Sequence, residues 1–328
     1  MEKCMNESDT FVDESLNGIV KAFPSFYRFA EGEPRGIIYD GNKNRKVKII
    51  TGGGYGHLPL FLGYVGVGLC DGIAVGNVFT SPSSDAIVNV ARDINSNEIL
   101  FLFGNYFGDT MNFEMAGEML EIDDIATNII KGADDIASSE VPSERRGIAG
   151  ILFAYKVAGA AADLGYDLNR VSQITSRAIC NMASLGVAFS SCRLPGAGKP
   201  IFEISEEEME IGMGIHGEPG IKREQMMSSE ELARRLTEDC LADLKIVEQE
   251  RIAVLVNGLG STSREELFVF FNDMEKVLSE HNVQITKTYV GEYVTSMEMA
   301  GLSLSILRLD DELESLLNTA AHSPFVTL

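Results

Sequence analysis

The sequence is short of positive charge and of long apolar runs, and each shortage excludes a class of protein. Lys and Arg number 27 against 49 Asp and Glu, so the net charge of −22 would repel nucleic-acid phosphates and anionic membranes. No apolar run approaches the roughly 20 residues of a membrane-spanning helix. The N-terminus is polar and acidic, without the basic and then apolar order of a secretion signal. We therefore expect a cytoplasmic protein that binds neither nucleic acid nor a membrane.

The cysteines do not form a pattern that carries chemistry. The five residues are scattered and odd in number, and no Cys-x-x-Cys pair is present to chelate zinc or to cycle as a dithiol. We therefore expect buried, reduced thiols and no metal on this chain. Hydrophobic residues make up 45% and charged residues 23% of the 328, which is typical of a folded globular protein of about two domains.

The order of the apolar runs predicts an α/β fold. From Lys46 onward, short apolar runs alternate with helical stretches, which is the pattern of a protein with largely parallel strands. We divide the chain into an N-terminal α/β domain at 1–185 and a C-terminal α/β domain at 186–328, each a β-sheet flanked by helices. Polar loops follow the carboxyl ends of the strands, where such sheets place their ligands, so the active site is expected there.

Local patterns give expected positions for several elements around these loops. Ser81 and Pro82 are typical of a helix start, with Pro at the first helical position. The stretch 145–164 is rich in Gly and Ala and predicts a closely packed helix, and the run 186–192 predicts a strand. We interpret the acidic run 206–210 as a solvated face or a helix start in preference to a metal site.

Two of the four histidines lie among glycines. His57 ends the sequence Gly-Gly-Gly-Tyr-Gly-His directly after a predicted strand, and His216 lies within Gly-Ile-His-Gly-Glu-Pro-Gly. Such turns expose backbone N–H groups and can hold an oxyanion, a phosphate or a polyhydroxy compound, although a tight turn around a packed imidazole is the commoner explanation. Asp109 also follows a predicted strand, and a His and an Asp at neighbouring strand ends can bind a hydroxyl and remove its proton.

Six short motifs run in order along the chain. They are GGGxGH at 52–57, FTSP at 79–82, GNYxGD at 104–109, DDIA at 134–137, RRG at 145–147 and GIHGEPG at 214–220. Together with VNGLG at 256–260, they resemble the K subunit family of dihydroxyacetone kinases over nearly the whole chain, and the second histidine motif is particularly specific. The resemblance implies a two-domain α/β fold and a homodimer.

The resemblance also implies a covalent mode of substrate binding. A nitrogen of the matching residue, His216, attacks the carbonyl of a short ketose and holds it as a hemiaminal. A neutral imidazole is a usable nucleophile near pH 7, and the adduct selects short ketones and aldehydes over glycerol, which has no carbonyl. The resemblance assigns Asp109 as the base for the hydroxyl that accepts phosphate and His57 as a residue that binds and polarises the substrate. Gly54 and Ser81 fall where the family contacts the sugar.

The family divides its work between subunits. Nucleotide and magnesium sit on a separate L subunit or on an L domain fused behind the K domain, and this sequence has neither the dinucleotide fingerprint nor a P-loop. We therefore expect no cofactor on this chain, with Mg and ADP or ATP on a partner L subunit. The phosphate donor is ATP or, as a separate K chain suggests, a phosphotransferase system acting through an M subunit. The implied setting is glycerol metabolism.

The sequence departs from the family at the first histidine motif. The usual Gly-Gly-Gly-Ser-Gly-His-Glu-Pro has Tyr55 in place of the Ser and Leu58 in place of the Glu here. The expected ligand is therefore dihydroxyacetone or a related short ketose such as the tetrulose erythrulose. A regulatory alternative is open as well, because relatives bind the ketose and act as coactivators of a transcription regulator. The complete motif around Asp109 favours the enzyme, since a sensor has less need of that base.

Overall fold

Two six-stranded mixed sheets form the framework of the protein, for which the computed structural model describes residues 3–42 and 45–328. From edge to edge, the first sheet contains β1 (Arg28–Ala30), β2 (Glu33–Ile38), β4 (Gly72–Val78), β3 (Val47–Tyr55), β5 (Glu98–Gly104) and β6 (Ala126–Gly132). The second contains β11 (Gln284–Gly291), β10 (Arg251–Gly258), β12 (Gly301–Arg308), β7 (Met182–Ala188), β8 (Glu208–Ile211) and β9 (Lys222–Gln225). The predicted fold class, sheets flanked by helices, is confirmed.

The helices pack on the outer faces of both sheets and between them. On the first sheet, α2 (Ser84–Ile94) and α3 (Phe107–Glu121) cover the outer face, and on the second, α6 (Ser229–Leu244) and α7 (Arg264–Glu280) do so. A shared apolar core between the sheets contains α1 (Phe11–Ala22), α4 (Ile151–Asp163), α5 (Leu168–Cys180) and α8 (Asp311–Leu317). Within the described ranges, no helix has both the length and the apolarity needed to cross a bilayer.

Strand direction differs between the two sheets. In the first sheet β3, β4, β5 and β6 run parallel, so the carboxyl ends of β3, β4 and β5 meet at one edge. In the second sheet β10 and β11 are parallel, whereas the pairs from β10 through β12, β7 and β8 to β9 are antiparallel. The prediction of largely parallel strands is therefore confirmed for the first sheet and wrong for the second.

The predicted helix at 145–164 begins later than expected. α4 starts at Ile151, because the carboxylate of Asp134 accepts the backbone N–H groups of Ile148 at 2.9 Å and Gly150 at 2.8 Å. Those hydrogen bonds hold the preceding residues in an extended loop and satisfy amides that a helix would otherwise use. The expected close packing is confirmed, since α4 is buried along nearly its whole length.

The strand predicted at 186–192 is displaced toward the N-terminus. β7 covers Met182–Ala188 and pairs residue by residue with β12, after which the N–H groups of Phe189 and Ser190 both bond to the carbonyl of Ala300. The domain boundary at 185 stays a prediction, and β7 runs across it. In the acidic run 206–210 the interpretation as a helix start is wrong, because its last residues belong to β8, which pairs with β7 and β9.

The thiols are free, but the prediction that they are buried is wrong for two of them. Cys70, Cys192 and Cys240 are buried, whereas Cys4 and Cys180 are exposed. Burial raises the pKa of Cys192 to about 11, so this thiol stays protonated at neutral pH.

The loop that delays α4 should depend on the carboxylate of Asp134. Asp134→Ala leaves two buried N–H groups without acceptors, and we expect it to lower the free energy of unfolding by roughly 2–5 kcal/mol. Urea denaturation followed by circular dichroism measures this loss. Glu140→Ala, at an exposed position, is the matched control and should change stability by less than about 0.5 kcal/mol. Equal stability of the two variants would contradict the role of this carboxylate.

Candidate active site

His57 lies buried just past β3 with one nitrogen paired and the other without a partner. Its Nδ1 is 2.8 Å from the carbonyl oxygen of Thr295, which can only accept, so Nδ1 carries the proton. Nε2 is buried and has no hydrogen-bond partner among the described residues. Burial, together with a smaller effect of the neighbouring His216, lowers the pKa of His57 to about 3. His57 is therefore neutral and offers a lone pair at Nε2.

The glycine-rich turn lets the backbone of another loop approach His57. A Cβ on Gly54 would lie 2.6 Å from the backbone nitrogen of Thr80, so only glycine permits this approach. The same loop places Phe79 against His57 in a stacked arrangement, with ring centroids 4.7 Å apart and an interplanar angle of 11°. The glycines of the turn thus allow close packing, as expected for a tight turn around a packed imidazole. The same packing orients the ring of His57.

His216 lies in the loop after β8, and Glu218 holds its orientation. One carboxylate oxygen of Glu218 is 2.9 Å from Nδ1 of His216 and the other accepts its backbone N–H at 2.9 Å. Burial acts to raise the pKa of Glu218, but the hydrogen bonds and charge of His216 outweigh it and lower the pKa to about 2. In the neutral form of His216, an ionised Glu218 keeps the proton on Nδ1, which leaves the lone pair on Nε2. A Cβ on Gly214 would lie 2.1 Å from Oε2 of Glu218, which explains that glycine.

The two imidazoles meet inside an aromatic cluster. The ring centroids of His57 and His216 are 4.7 Å apart with an interplanar angle of 83°. Tyr106 contacts His216 edge-on at 4.6 Å, and Phe79 does so at 5.3 Å. The hydroxyl of Tyr106 donates to the carbonyl of Gly147 at 2.9 Å, which fixes that ring. A ligand at His216 would therefore meet apolar ring surface on several sides.

Asp109 is the third residue of α3 and carries an unpaired carboxylate oxygen. The residue is 6% exposed, and its Oδ1 has no partner among the described residues. Burial raises the pKa of Asp109 to about 6, an effect that the Ser81 hydroxyl and the nearby His216 partly offset. Such a carboxylate can take up a proton close to neutral pH, as a general base must.

Ser81 does not start a helix as predicted. The side chain of Ser83 accepts the N–H of Ala86 at 3.2 Å and caps α2, which begins at Ser84. Ser81 and Pro82 precede that cap, and the hydroxyl of Ser81 faces the first turn of α3, 2.6 Å from where a Cβ on Gly108 would lie. The later helix start therefore leaves Ser81 beside Asp109.

An ion pair behind the site explains two further motifs. Arg146 bonds to Asp135 at 2.8 Å, donates to the carbonyl of Gly212 at 3.1 Å and lies 3.9 Å from Glu218. Burial raises the pKa of Asp135 to about 7, and the charge of Arg146 opposes that rise. The DDIA and RRG motifs thus support the loop that carries His216.

The residues predicted from the sequence come together around one point. His57 contacts His216, and Asp109 lies close enough to His216 for a protonated imidazole to lower the pKa of the carboxyl group. Gly54 and Ser81 belong to the turns that enclose these side chains. Their catalytic and binding roles stay predictions.

Sequence reasoning missed four contributors. Glu218, Phe79 and Tyr106 stand inside the quoted motifs, so their spacing from the histidines could have suggested a role. The carbonyl of Thr295 is far from His57 in sequence and has no such signal.

The two residues that depart from the family pattern, Tyr55 and Leu58, line a neighbouring cavity. Tyr55 bonds through its hydroxyl to that of Ser15 and contacts the ring of Phe11, both on α1. Together with Leu58, these residues line a cavity of about 440 Å³. The side chain of Tyr55 is thus held against α1.

The sequence matches known proteins along almost its whole length. Residues 17–325 match the model of the Dak1 domain family. The chain is 41% identical over 327 residues to the dihydroxyacetone-binding subunit DhaK of PTS-dependent dihydroxyacetone kinase 2 from Listeria innocua, covering 99% of both chains. It is also 41% identical to the D-erythrulose kinase of Mycolicibacterium smegmatis, of which it spans 56%.

Solved structures agree with this relationship. The dihydroxyacetone kinase of C. freundii in its native form superposes with a TM-score of 0.91 at 30% identity, over 98% of this chain and 60% of that one. The dihydroxyacetone kinase operon co-activator DhaQ superposes with a TM-score of 0.88 at 30% identity, over 96% of this chain and 97% of that one. The resemblance seen in the motifs is confirmed: the chain belongs to the Dak1 domain family, that of the K subunits of dihydroxyacetone kinases.

Proposed function

We propose that this chain is the substrate-binding subunit of a dihydroxyacetone kinase and that it holds a short ketose covalently on His216. The observation that carries the proposal is the edge-on contact of His57 and His216, each with Nδ1 held by a hydrogen-bond partner, beside the unpaired carboxylate oxygen of Asp109. A relative matched over 99% of its length is itself a dihydroxyacetone-binding subunit.

The covalent step adds an N–H bond across the substrate carbonyl. The lone pair on Nε2 of His216 forms a bond to the carbonyl carbon, and the π electrons of the carbonyl move to its oxygen. The addition gives an imidazolium and an alkoxide; Nδ1 releases its proton through Glu218 to solvent, and solvent supplies one proton to the alkoxide, so Glu218 ends ionised and the product is a neutral hemiaminal. Nε2 of His57 accepts a hydrogen bond from a substrate hydroxyl, because its Nδ1 proton is committed to Thr295.

Phosphoryl transfer then requires a base at the terminal hydroxyl. Asp109 takes the hydroxyl proton as the oxygen forms its bond to phosphorus, while the bond from phosphorus to the donor breaks. The donor is carried by a separate L subunit with Mg and nucleotide. The PTS-dependent relative supports a route in which that nucleotide is recharged by a phosphotransferase M subunit. We propose that the chain works as a cytoplasmic homodimer in glycerol metabolism.

Two alternatives differ in the ligand or in the outcome of binding. The D-erythrulose kinase among the relatives supports a tetrulose as substrate, since a hemiaminal requires only a carbonyl and small substituents. The structural match to the co-activator DhaQ supports a ketose sensor that acts on a transcription regulator. Ketose binding at His216 is common to all three, whereas turnover with an L subunit belongs to the kinases alone.

Turnover should require the L subunit. Purified chain with ATP, magnesium and dihydroxyacetone or erythrulose should give no sugar phosphate until the L subunit and its phosphate source are added, because the donor site lies on the partner. A coupled assay for the phosphorylated ketose measures this dependence. Robust turnover by the isolated chain would show that phosphoryl transfer does not need an L subunit. If the chain binds ketose but gives no turnover with the L subunit present, the role of a ketose sensor is favoured.

Asp109→Asn should separate chemistry from binding. The amide can still accept a hydrogen bond from the hydroxyl but cannot take its proton, so we expect kcat to fall by about 100-fold or more while the Kd for ketose changes little. In the wild type, kcat should fall as the pH drops through about 6, where Asp109 becomes protonated, and level off above it. Parallel loss of binding and turnover would make Asp109 a positioning residue.

His216→Ala should abolish the covalent adduct. With ketose labelled by ¹³C at the carbonyl, the wild type should convert the carbonyl resonance into that of a tetrahedral carbon, and crystals should show density continuous with Nε2 of His216. His281→Ala, at an exposed histidine, is the control and should retain both signals. Glycerol should compete poorly because it has no carbonyl. An adduct that survives in His216→Ala would remove this residue from the mechanism.

A further inference from the structure

One helix beside the site exposes a row of large apolar side chains. Phe107 is 85% exposed, Met111 50%, Met115 46% and Ile122 84%. Spacings of four, four and seven residues place these side chains on one face of a helix, and we call this set the α3 stripe. From Phe107 to Ile122 it extends along about 22 Å.

The fold does not need this face for its own core. The opposite side of α3 is anchored by Phe113, Ala116 and Leu120, which are fully buried against the outer face of the first sheet. α3 therefore has apolar residues on both sides, and only the inner set contributes to the interior. A contiguous row of exposed apolar side chains is typical of an interaction site, whereas single scattered apolar side chains are not.

The charge around the stripe is of one sign. Glu114, Glu118 and Glu121 are exposed on the same side of α3, and the helix contains neither Lys nor Arg. Glu118 falls between Phe107 and Met111 when the residues are projected around the helix axis, and the other two border the stripe on one side. A protein that covers this surface must therefore offer apolar contacts with basic residues around them.

The position of the stripe relative to Asp109 indicates what that partner carries. Phe107 is two residues before Asp109, in the first turn of the same helix. A phosphoryl group that reaches a hydroxyl held by Asp109 must come from a molecule that contacts the surface next to that turn. We propose, on the basis of the function given above, that the α3 stripe is the docking face for the nucleotide-carrying L subunit, which contacts it through an apolar patch bordered by Lys and Arg.

A second copy of this chain fits the stripe less well. A two-fold contact through the stripe would bring the glutamates of both copies together, in molecules that each carry a charge of −22. A basic border on the L subunit would instead offset that charge and bring an anionic nucleotide toward an acidic molecule.

Two variants test the docking face without touching the site. Met111→Ser combined with Met115→Ser removes apolar surface, and Glu118→Lys reverses the central charge. The matched controls lie on α7, where Phe268 and Val269 are 55% and 54% exposed: Phe268→Ser combined with Val269→Ser, and Glu275→Lys. For each variant we would measure turnover against the concentration of the L subunit, the Kd for the L subunit by calorimetry, the ketose adduct by ¹³C NMR, and the mass by sedimentation.

Both α3 variants should raise the half-saturating concentration and the Kd of the L subunit by roughly tenfold or more, with the adduct and the mass unchanged. The α7 variants should match the wild type. If the wild type turns over with L but the α3 variants behave like the controls, the docking face is wrong and the kinase function stands. A lower mass of the α3 variants would assign the stripe to a second copy and overturn the proposal. A wild type that forms the adduct but neither binds L nor turns over refutes the kinase function, and the docking face with it.

Discussion

Both imidazoles of the site are held with the proton on Nδ1, and this constraint governs what the site can do. The carbonyl of Thr295 fixes His57 and the carboxylate of Glu218 fixes His216. Each hydrogen bond commits Nδ1, so in the neutral ring the lone pair is on Nε2, and the two ring centroids are 4.7 Å apart. Water competes poorly for buried groups, and burial keeps His57 neutral. The site therefore holds a neutral His57 with an unpaired Nε2 next to His216, whose orientation is fixed by Glu218.

That arrangement depends on contacts between the two sheets. His57 follows a strand of the first sheet, whereas Thr295 and the loop of His216 belong to the second half of the chain. Close approach of the backbones is possible because glycines stand where a Cβ would collide, at Gly54 against Thr80 and at Gly214 against Glu218. A side chain larger than glycine at either position would move a loop and so change the distance between the imidazoles. The glycine-rich motifs thus serve geometry and function at once.

Features that depend on residues close together in the sequence could be predicted from it, whereas features that depend on distant residues could not. Strands β3, β4 and β5 of the first sheet contain short apolar runs, and the residues that form the site stand in motifs with short internal spacings. The antiparallel order of the second sheet was not predictable in this way, because it depends on pairings such as β7 with β12 between residues far apart in sequence. The start of α4 was misplaced for a similar reason, since its delay depends on hydrogen bonds to Asp134, which precedes the loop. A backbone carbonyl such as that of Thr295 has no residue-type signature at all.

The net charge of the molecule bears on how its proposed ligands can bind. At −22 the protein has little electrostatic attraction for an anionic nucleotide, and a short ketose carries no charge that the protein could pair with. In the proposed function, a reversible bond to carbon would supply affinity that charge does not, and it would use the neutral form of the imidazole that Glu218 orients. Burial likewise raises the pKa of Asp109 to about 6, so this carboxylate has a higher proton affinity than an exposed one, as the proposed role of a base requires. On the function proposed above, a separate carrier for the nucleotide would let the anionic donor meet this acidic chain only when the two proteins are in contact.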